Sequence, residues 1–210
     1  ANMRTGDRQG ARPGWLPSAL MTKEARSTTP AEAAAAAAYF SKLPYTPRVR
    51  LVETADIPRT EGFGFLNRPA GGGGREALGT RIIEVPDDVA RWEKRDSRVG
   101  YVAYAPVGAL ARGQALASGA GGQAPACASC HGEGLRGGPA APPIAGRTPG
   151  YLFRQLTAFK AGARHGAQDA PMVEVTRTMT PAQMVDVAAY AAFDPERPHR
   201  GKGQVQRRRH

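Results

Sequence analysis

The two cysteines of this 210-residue chain constrain its fold more than any other feature. They are Cys127 and Cys130, and His131 directly follows the second one in the sequence C-A-S-C-H. A redox-active disulfide would need a strand before the pair, whereas residues 118–126 read S-G-A-G-G-Q-A-P-A and predict a loop. A structural zinc site would need four ligands, and the chain has no second cysteine pair to supply them.

Covalent attachment of haem is the remaining interpretation of this motif. Two thiols separated by one helical turn match the spacing of the two vinyl groups of the porphyrin. The residue after the second cysteine is carried beneath the iron, where an imidazole becomes the proximal ligand. Cys127, Cys130 and His131 are therefore the first candidate site residues.

Three helices are predicted around the motif. Val107–Ala117 has leucines and alanines on one side and is followed by Gly119. Pro149–Ala161 places Pro149 in its first turn and repeats apolar residues at helical spacing. The third helix begins with a capping box at Thr180 and runs to about Phe193. A loop rich in glycine and proline, 132–147, separates the motif from the second helix.

Met172 lies 41 residues after His131 and is the candidate for the second axial ligand. A thioether is a soft ligand that favours reduced iron and raises the reduction potential relative to a second histidine. We expect Met172 in a polar loop after Pro171, where a residue that only fills the core is less expected. Met179 and Met184 are competitors that fit packing roles better, and His165 is the other rival for the sixth position.

These features together resemble the class I cytochrome c family, over about residues 107–195. The resemblance is carried by Gly108, Arg112 and Gly113, by the C-A-S-C-H-G motif, by P-P-I-A-G-R at 142–147, by Y-L-x-x-Q-L-x-x-F-K-x-G-x-R at 151–164, by Met172, and by Ala189 and Tyr190. The expected fold class is all-α: a cytochrome c fold around a covalent haem. It is preceded by a loop-rich N-terminal extension that contains one helix and short strands.

The resemblance also implies the site. One haem c would be attached to Cys127 and Cys130, with His131 and Met172 as axial iron ligands. The carbonyl of Pro142 or Pro143 would accept the other imidazole N–H. Pro143 and Ile144 would contribute to cofactor binding. Arg147 and Tyr151 would contact the propionates or the haem edge, although a plain surface charge is an equal interpretation of Arg147.

The resemblance implies one-electron transfer by a periplasmic mono-haem cytochrome c that cycles between Fe(II) and Fe(III) and is not itself an enzyme. The alternative is a cytochrome c subunit of a larger periplasmic or membrane-associated oxidoreductase, docked through its N-terminal extension. Gas sensing or peroxidase chemistry would require Met172 to be absent from the iron or displaced. The expected partners are redox proteins, including acidic or membrane-bound ones.

An internal repeat links the two ends of the chain. A shift of 151 residues places Met21 on Met172, Thr29-Pro30 on Thr180-Pro181 and Ala37-Ala38-Tyr39 on Ala188-Ala189-Tyr190. Residues 1–43 are therefore interpreted as a partial, haem-less cytochrome c-like segment that packs on the complete domain. Independent convergence on a common helix start and a haem reaching Met21 from another chain are the alternatives.

The predicted organisation has four parts: 1–43, the partial segment; 44–106, an extended linker with short strands; 107–196, the haem c domain; and 197–210, a basic tail. The strand candidates in the linker are Arg48–Glu53, Thr80–Val85 and Gly100–Tyr104, with a flexible loop over Arg68–Gly74.

The net charge of +11 suggests an acidic partner. Residues 197–210 carry six of the basic residues and no acidic one, so the tail is interpreted either as a disordered solvated end or as a docking arm. Nucleic acid is disfavoured because no basic helix is interleaved with aromatic residues.

The longest apolar run, Ala33–Phe40, is too short for a transmembrane segment, and no signal peptide is recognisable at the start.

Overall fold

The computed structural model describes residues 2–12, 14–44, 46, 48–63, 66–120 and 125–193. The predicted basic tail, 197–210, lies outside them. The helices, in chain order, are α1 (Asn2–Thr5), α2 (Leu16–Ser27), α3 (Pro30–Phe40), α4 (Val89–Glu93), α5 (Ala109–Ala117), α6 (Ala128–His131), α7 (Pro149–Lys160), α8 (Ala170–Arg177) and α9 (Pro181–Ala192). The strands are β1 (Val49–Glu53), β2 (Asp56–Pro58), β3 (Thr60–Phe63), β4 (Leu66–Pro69), β5 (Arg75–Ala77), β6 (Ile83–Pro86) and β7 (Tyr101–Ala105).

Two capping boxes start the helices that the repeat predicted to be equivalent. In α9 the Thr180 hydroxyl accepts from the Gln183 backbone N–H, and the Gln183 side chain accepts from the Thr180 N–H at 2.8 Å. In α3 Thr29 and Glu32 make the same reciprocal pair. The predicted capping box at Thr180 is confirmed, and Thr29 makes the equivalent one. They show that the repeat extends to the geometry of the helix starts.

Helices α5 and α9 cross in close contact, and this contact organises the C-terminal part of the molecule. A Cβ at Gly113 would lie 2.1 Å from the backbone oxygen of Asp186, so the crossing requires a glycine there. Beside it, Arg112 donates from two nitrogens to the two carboxylate oxygens of Asp186, each at 2.9 Å. Eight residues of α9 are buried, which makes this helix the centre of the core.

The three predicted linker strands form one sheet in the order β1–β7–β6. β1 runs parallel to β7, with Val49 opposite Tyr101, while β6 runs antiparallel to β7. The sheet lies against the helices because Ala105 of β7 packs with Ala109 of α5 and Ala189 of α9. Residues 44–106 are thus attached to the helical domain through a buried strand.

The all-α expectation is wrong for the chain as a whole, which mixes helix and strand. Four further strands pair as β2–β5 and as the hairpin β3–β4, so the predicted flexible loop begins only after Pro69. The described part of the N-terminal extension has helices α1 to α4 instead of one. α2 was missed because Trp15 precedes it without a side-chain cap, although Pro17 in its first turn is a typical start signal.

Helices α2 and α3 have no buried residue, unlike their counterparts α8 and α9. Met21, Tyr39 and Phe40 are 50%, 62% and 66% exposed.

Within the described part of the chain, none of the helices combines the length and hydropathy that crossing a bilayer would require.

Candidate haem-binding site

The C-A-S-C-H motif forms a single helical turn. Cys127 immediately precedes α6, Cys130 lies within it, and His131 is its last residue. Both cysteines are free thiols; Cys130 is exposed, and Cys127 is half-buried. Burial raises the pKa of the Cys127 thiol above its ordinary value. The two sulfur atoms are therefore available for covalent attachment at one surface of the domain.

The turn after the motif depends on Gly132. Its φ of 75° lies in the left-handed region, and a Cβ there would approach the Gly137 carbonyl oxygen to 2.3 Å. The Gly137 N–H donates to the His131 carbonyl at 2.7 Å, which closes the loop against α6. The residues that follow Gly132 therefore fold back against His131.

The imidazole of His131 is buried and held by one hydrogen bond. Its Nδ1 lies 2.8 Å from the carbonyl oxygen of Pro142. Because a carbonyl oxygen can only accept, the proton must be on Nδ1. The lone pair of Nε2 is then free to bind a metal.

The loop 133–147 brings the other predicted residues beside the motif. The N–H groups of Ile144 and Ala145 both donate to the Leu135 carbonyl, at 2.9 and 3.0 Å. Ile144 is half-buried, whereas Pro143 and Arg147 are exposed. Tyr151 in the first turn of α7 is 36% exposed, and its hydroxyl accepts from Arg8 at 3.0 Å.

Met172 does not lie in a polar loop, as the sequence suggested, but is the third residue of α8. Its N–H donates to the Asp169 carbonyl, and its half-buried side chain packs on Leu156, Met184 and Val187. Pro171, in the first turn of this helix, signals a helix start in the same way as Pro17 does in α2. The competing Met179 packs against the same cluster from the irregular segment before α9.

Two apolar clusters make a continuous wall across the domain. The first contains Leu135, Leu152 and three alanines of α9, and half-buried Cys127 and Ile144 pack against it. The second is the cluster that Met172 contacts. Phe153 packs against both clusters, so the motif and Met172 lie on one connected apolar surface.

Arg164 belongs to the family pattern at 151–164, but the sequence assigned it no role at the site. Its guanidinium is largely buried, lies 4.0 Å from the Phe159 ring centroid and donates to Gln155 and Asp169. Its buried Nε has no hydrogen-bond acceptor among the described residues. An unpaired donor of this kind matches a carboxylate of a bound cofactor.

The residues present fit a c-type haem. Two free thiols stand one turn apart, a buried imidazole has its Nδ1 bonded to Pro142 and so leaves Nε2 for a metal, and an apolar wall with half-buried members extends from the motif to Met172. Zinc is disfavoured further because, among the residues that the structure describes, no three His, Cys, Asp or Glu side chains gather to hold a metal ion.

Comparison with known proteins agrees with this geometry. Residues 110–191 match the family model of cytochrome c. Covalently bound haem c is the cofactor that this family implies.

Curated relatives match about a third of the chain. A cytochrome c-552 of Acidithiobacillus ferridurans is 43% identical over 68 residues, which are 32% of this chain and 28% of that protein. A thiosulfate dehydrogenase electron acceptor of Thiomonas intermedia is 39% identical over 75 residues, which are 35% of each protein. The matches thus span only about a third of the length of these relatives.

One solved structure matches most of the chain, including the linker. The thiosulfate dehydrogenase of Marichromatium purpuratum superimposes with a TM-score of 0.57 and 25% identity, over 92% of this chain and 29% of that one. The N-terminal extension therefore has a structural counterpart in a larger redox protein.

Glu84 of β6 is a second residue that sequence reasoning missed. It accepts from the Gly150 N–H at 2.7 Å and so fixes the start of α7, one residue before Tyr151. Burial raises its pKa, although the Gly150 hydrogen bond and Arg154 act in the opposite direction. The linker sheet thus supports the predicted haem edge through a partly buried carboxylate.

We expect Glu84→Gln to remove a destabilisation that grows as the pH rises. A carboxyl whose folded pKa is raised stabilises the fold below its ordinary pKa of 4.5, and this contribution is lost as the pH rises through the folded pKa. The amide keeps an acceptor for Gly150 but cannot ionise. The variant should therefore gain free energy of unfolding relative to the native protein as the pH rises towards neutrality, measured by urea denaturation at a series of pH values.

Glu174→Gln is the matched control. Hydrogen bonding to Arg177 lowers the pKa of Glu174, so its contribution is present at neutral pH and lost in acid. Its removal should change stability with the opposite sign. A Glu84→Gln curve parallel to the native curve would contradict the account.

Proposed function

We propose that residues 107–196 bind one covalent haem c and transfer single electrons as the iron cycles between Fe(II) and Fe(III). Cys127 and Cys130 attach the porphyrin, and His131 and Met172 are the axial ligands. The observation that carries this proposal is the His131 Nδ1 to Pro142 hydrogen bond within a cytochrome c domain, because it leaves the coordinating nitrogen free and directed.

The roles of the side chains follow from their environments. Pro142 fixes the tautomer and ring orientation of His131 in both oxidation states. The wall around Phe153 excludes water from the cofactor. Ile144 and Pro143 close the side of the motif, while Tyr151, Arg147 and Arg164 present polar groups for the carboxylates of the cofactor. With His131 and Met172 both bound, the iron would have no vacant position for oxygen or peroxide, which is the chemistry of a carrier rather than of an enzyme.

Residues 1–43 are proposed to be a partial cytochrome c-like segment that packs on this domain. The repeat, the shared capping box and the contacts of Arg8 with α7 support this assignment. Its Met21 has no haem-attachment motif within residues 1–126, since the only cysteines are Cys127 and Cys130. Residues 44–106 then serve as a structured connection between the two parts.

A second candidate function is that of a subunit in a larger oxidoreductase. The exposed apolar side chains of α2 and α3, the counterpart of the extension in thiosulfate dehydrogenase and the relatives named as its electron acceptor all favour this role. The redox partner would then be a thiosulfate dehydrogenase.

Because c-type haem is attached outside the bacterial cytoplasm, we place the protein in the periplasm. There the basic tail would act as a docking arm for an acidic partner.

Met172→Ala tests the axial assignment. Loss of the thioether should abolish the methionine-to-iron charge-transfer band of the ferric protein, lower the reduction potential and allow rapid cyanide or imidazole binding. Met179→Ala is the control, because this side chain packs on the same cluster and should leave the band in place. A band that survives Met172→Ala and disappears in Met179→Ala would transfer the assignment to Met179.

Stopped-flow absorption distinguishes a subunit of thiosulfate oxidation from a general carrier. If the chain accepts electrons in that reaction, its ferric haem should be reduced when thiosulfate and the catalytic component of a thiosulfate dehydrogenase are added together. Neither addition alone should reduce it. Reduction by generic donors combined with no response to the complete mixture would favour the general carrier.

A further inference from the structure

A short segment of the N-terminal part is bonded to the loop that leads to Met172. The Gln9 N–H donates to the Ala163 carbonyl at 2.7 Å, and the His165 N–H donates to the Asp7 carbonyl at 3.0 Å. These two bonds make an antiparallel bridge centred on Arg8 and Arg164. The segment 7–9 is therefore held against the loop between α7 and α8.

The bridge joins two related sequences. A shift of 156 residues places R-T-G-D-R-Q-G at 4–10 on K-A-G-A-R-H-G at 160–166, with identity at both glycines and at the arginine between them. Under this correspondence, which is offset by five residues from the shift that places Met21 on Met172, Gln9 aligns with His165 and Asp7 aligns with Ala163. Each segment leads into a helix that carries a methionine, α2 with Met21 and α8 with Met172.

The Arg8 side chain extends this contact into the haem domain. One of its nitrogens donates to the Tyr151 hydroxyl at 3.0 Å and lies 3.4 Å from the Gln155 side-chain oxygen. The same Gln155 oxygen accepts from Arg164 at 2.9 Å. Gln155 therefore connects two guanidinium groups from sequence-distant segments, and this polar network lies on the face of α7 that carries the predicted haem-edge residue Tyr151.

The network continues to the start of the methionine helix. Arg164 donates to one carboxylate oxygen of buried Asp169 at 2.8 Å, and the Gly166 N–H donates to the other at 3.2 Å. The Asp169 carbonyl accepts from the N–H of Met172 at 3.0 Å. Hydrogen bonds thus connect Arg8 through Gln155, Arg164 and Asp169 to the backbone of Met172.

Placing the Arg8 guanidinium close to that of Arg164 costs free energy, which indicates that this contact has a specific role. Burial and the neighbouring positive charge of Arg8 lower the pKa of Arg164. Two like charges brought this close are unfavourable unless shared acceptors compensate them, and Gln155 and Tyr151 supply such acceptors. A segment that served only to cover the surface would not need to place a second guanidinium here.

We propose that Arg8 is a positioning residue for the haem site: it holds the loop 161–169 in place, so that α8 keeps the Met172 sulfur on the iron. This inference rests on the proposed axial pair of His131 and Met172. Arg8 acts through Tyr151, Gln155 and Arg164 and does not itself touch the iron. The N-terminal segment thereby regulates how readily the sixth ligand leaves.

The test compares Arg8→Ala with Arg12→Ala in the full chain loaded with haem. Arg12 is exposed, lies four residues after Arg8 and has the same charge, so its removal controls for electrostatics. Imidazole should displace the methionine roughly fivefold faster in Arg8→Ala than in the native protein, because one charged hydrogen-bonded anchor of the loop is lost. The charge-transfer band should weaken and the reduction potential should fall, while Arg12→Ala should match the native protein.

Arg8→Lys keeps the charge and one donor, so its displacement rate should lie between those of the native protein and Arg8→Ala. It also provides the measurement if the alanine variant does not fold. The inference would be overturned if imidazole displaced the methionine at the same rate in the native protein, Arg8→Ala and Arg12→Ala. If the alanine variant cannot be made, a displacement rate in Arg8→Lys equal to that of the native protein would overturn it as well. A native protein without the charge-transfer band would instead refute the axial assignment itself, which separates the two failures.

Discussion

The hydrogen bond between His131 Nδ1 and the Pro142 carbonyl joins the C-A-S-C-H motif to the loop that follows it. Its formation requires the tight return at Gly132, where a side chain would collide with Gly137. It also determines which imidazole nitrogen can bind iron. The same loop places Ile144 against the apolar cluster that Cys127 contacts, so this hydrogen bond orients the proposed ligand beside the apolar wall.

The remaining structure can be understood as support for a cofactor that supplies much of the core. Side chains such as Phe153 and Met172 are only half-buried although they lie on the main apolar clusters. A porphyrin placed against them would complete their burial and add to the hydrophobic stabilisation. Around this centre, the α5–α9 crossing fixes the helices, Glu84 fixes the start of α7, and Arg8 connects the N-terminal segment to the loop before Met172.

The sequence predicted the parts whose signals are local. The capping box at Thr180, the helical turn of the motif and the three strands of the main sheet all follow from short patterns. Helix α2 was missed because Trp15 is not a capping residue, whereas α8 was missed although Asp169 and Pro171 are typical start signals. The pairing of β2 with β5 and the contact between Arg8 and Tyr151, 143 residues apart, depend on tertiary packing that no local pattern encodes.

The central claim is that this polypeptide carries one iron porphyrin, bonded to both thiols and bound by His131. Anomalous X-ray diffraction at the iron edge, recorded from crystals of the purified coloured protein, tests it most directly. The account predicts one iron peak facing Nε2 of His131, inside electron density that is continuous with the sulfur atoms of Cys127 and Cys130. A zinc signal at the two sulfur atoms, or an iron peak remote from His131, would contradict it.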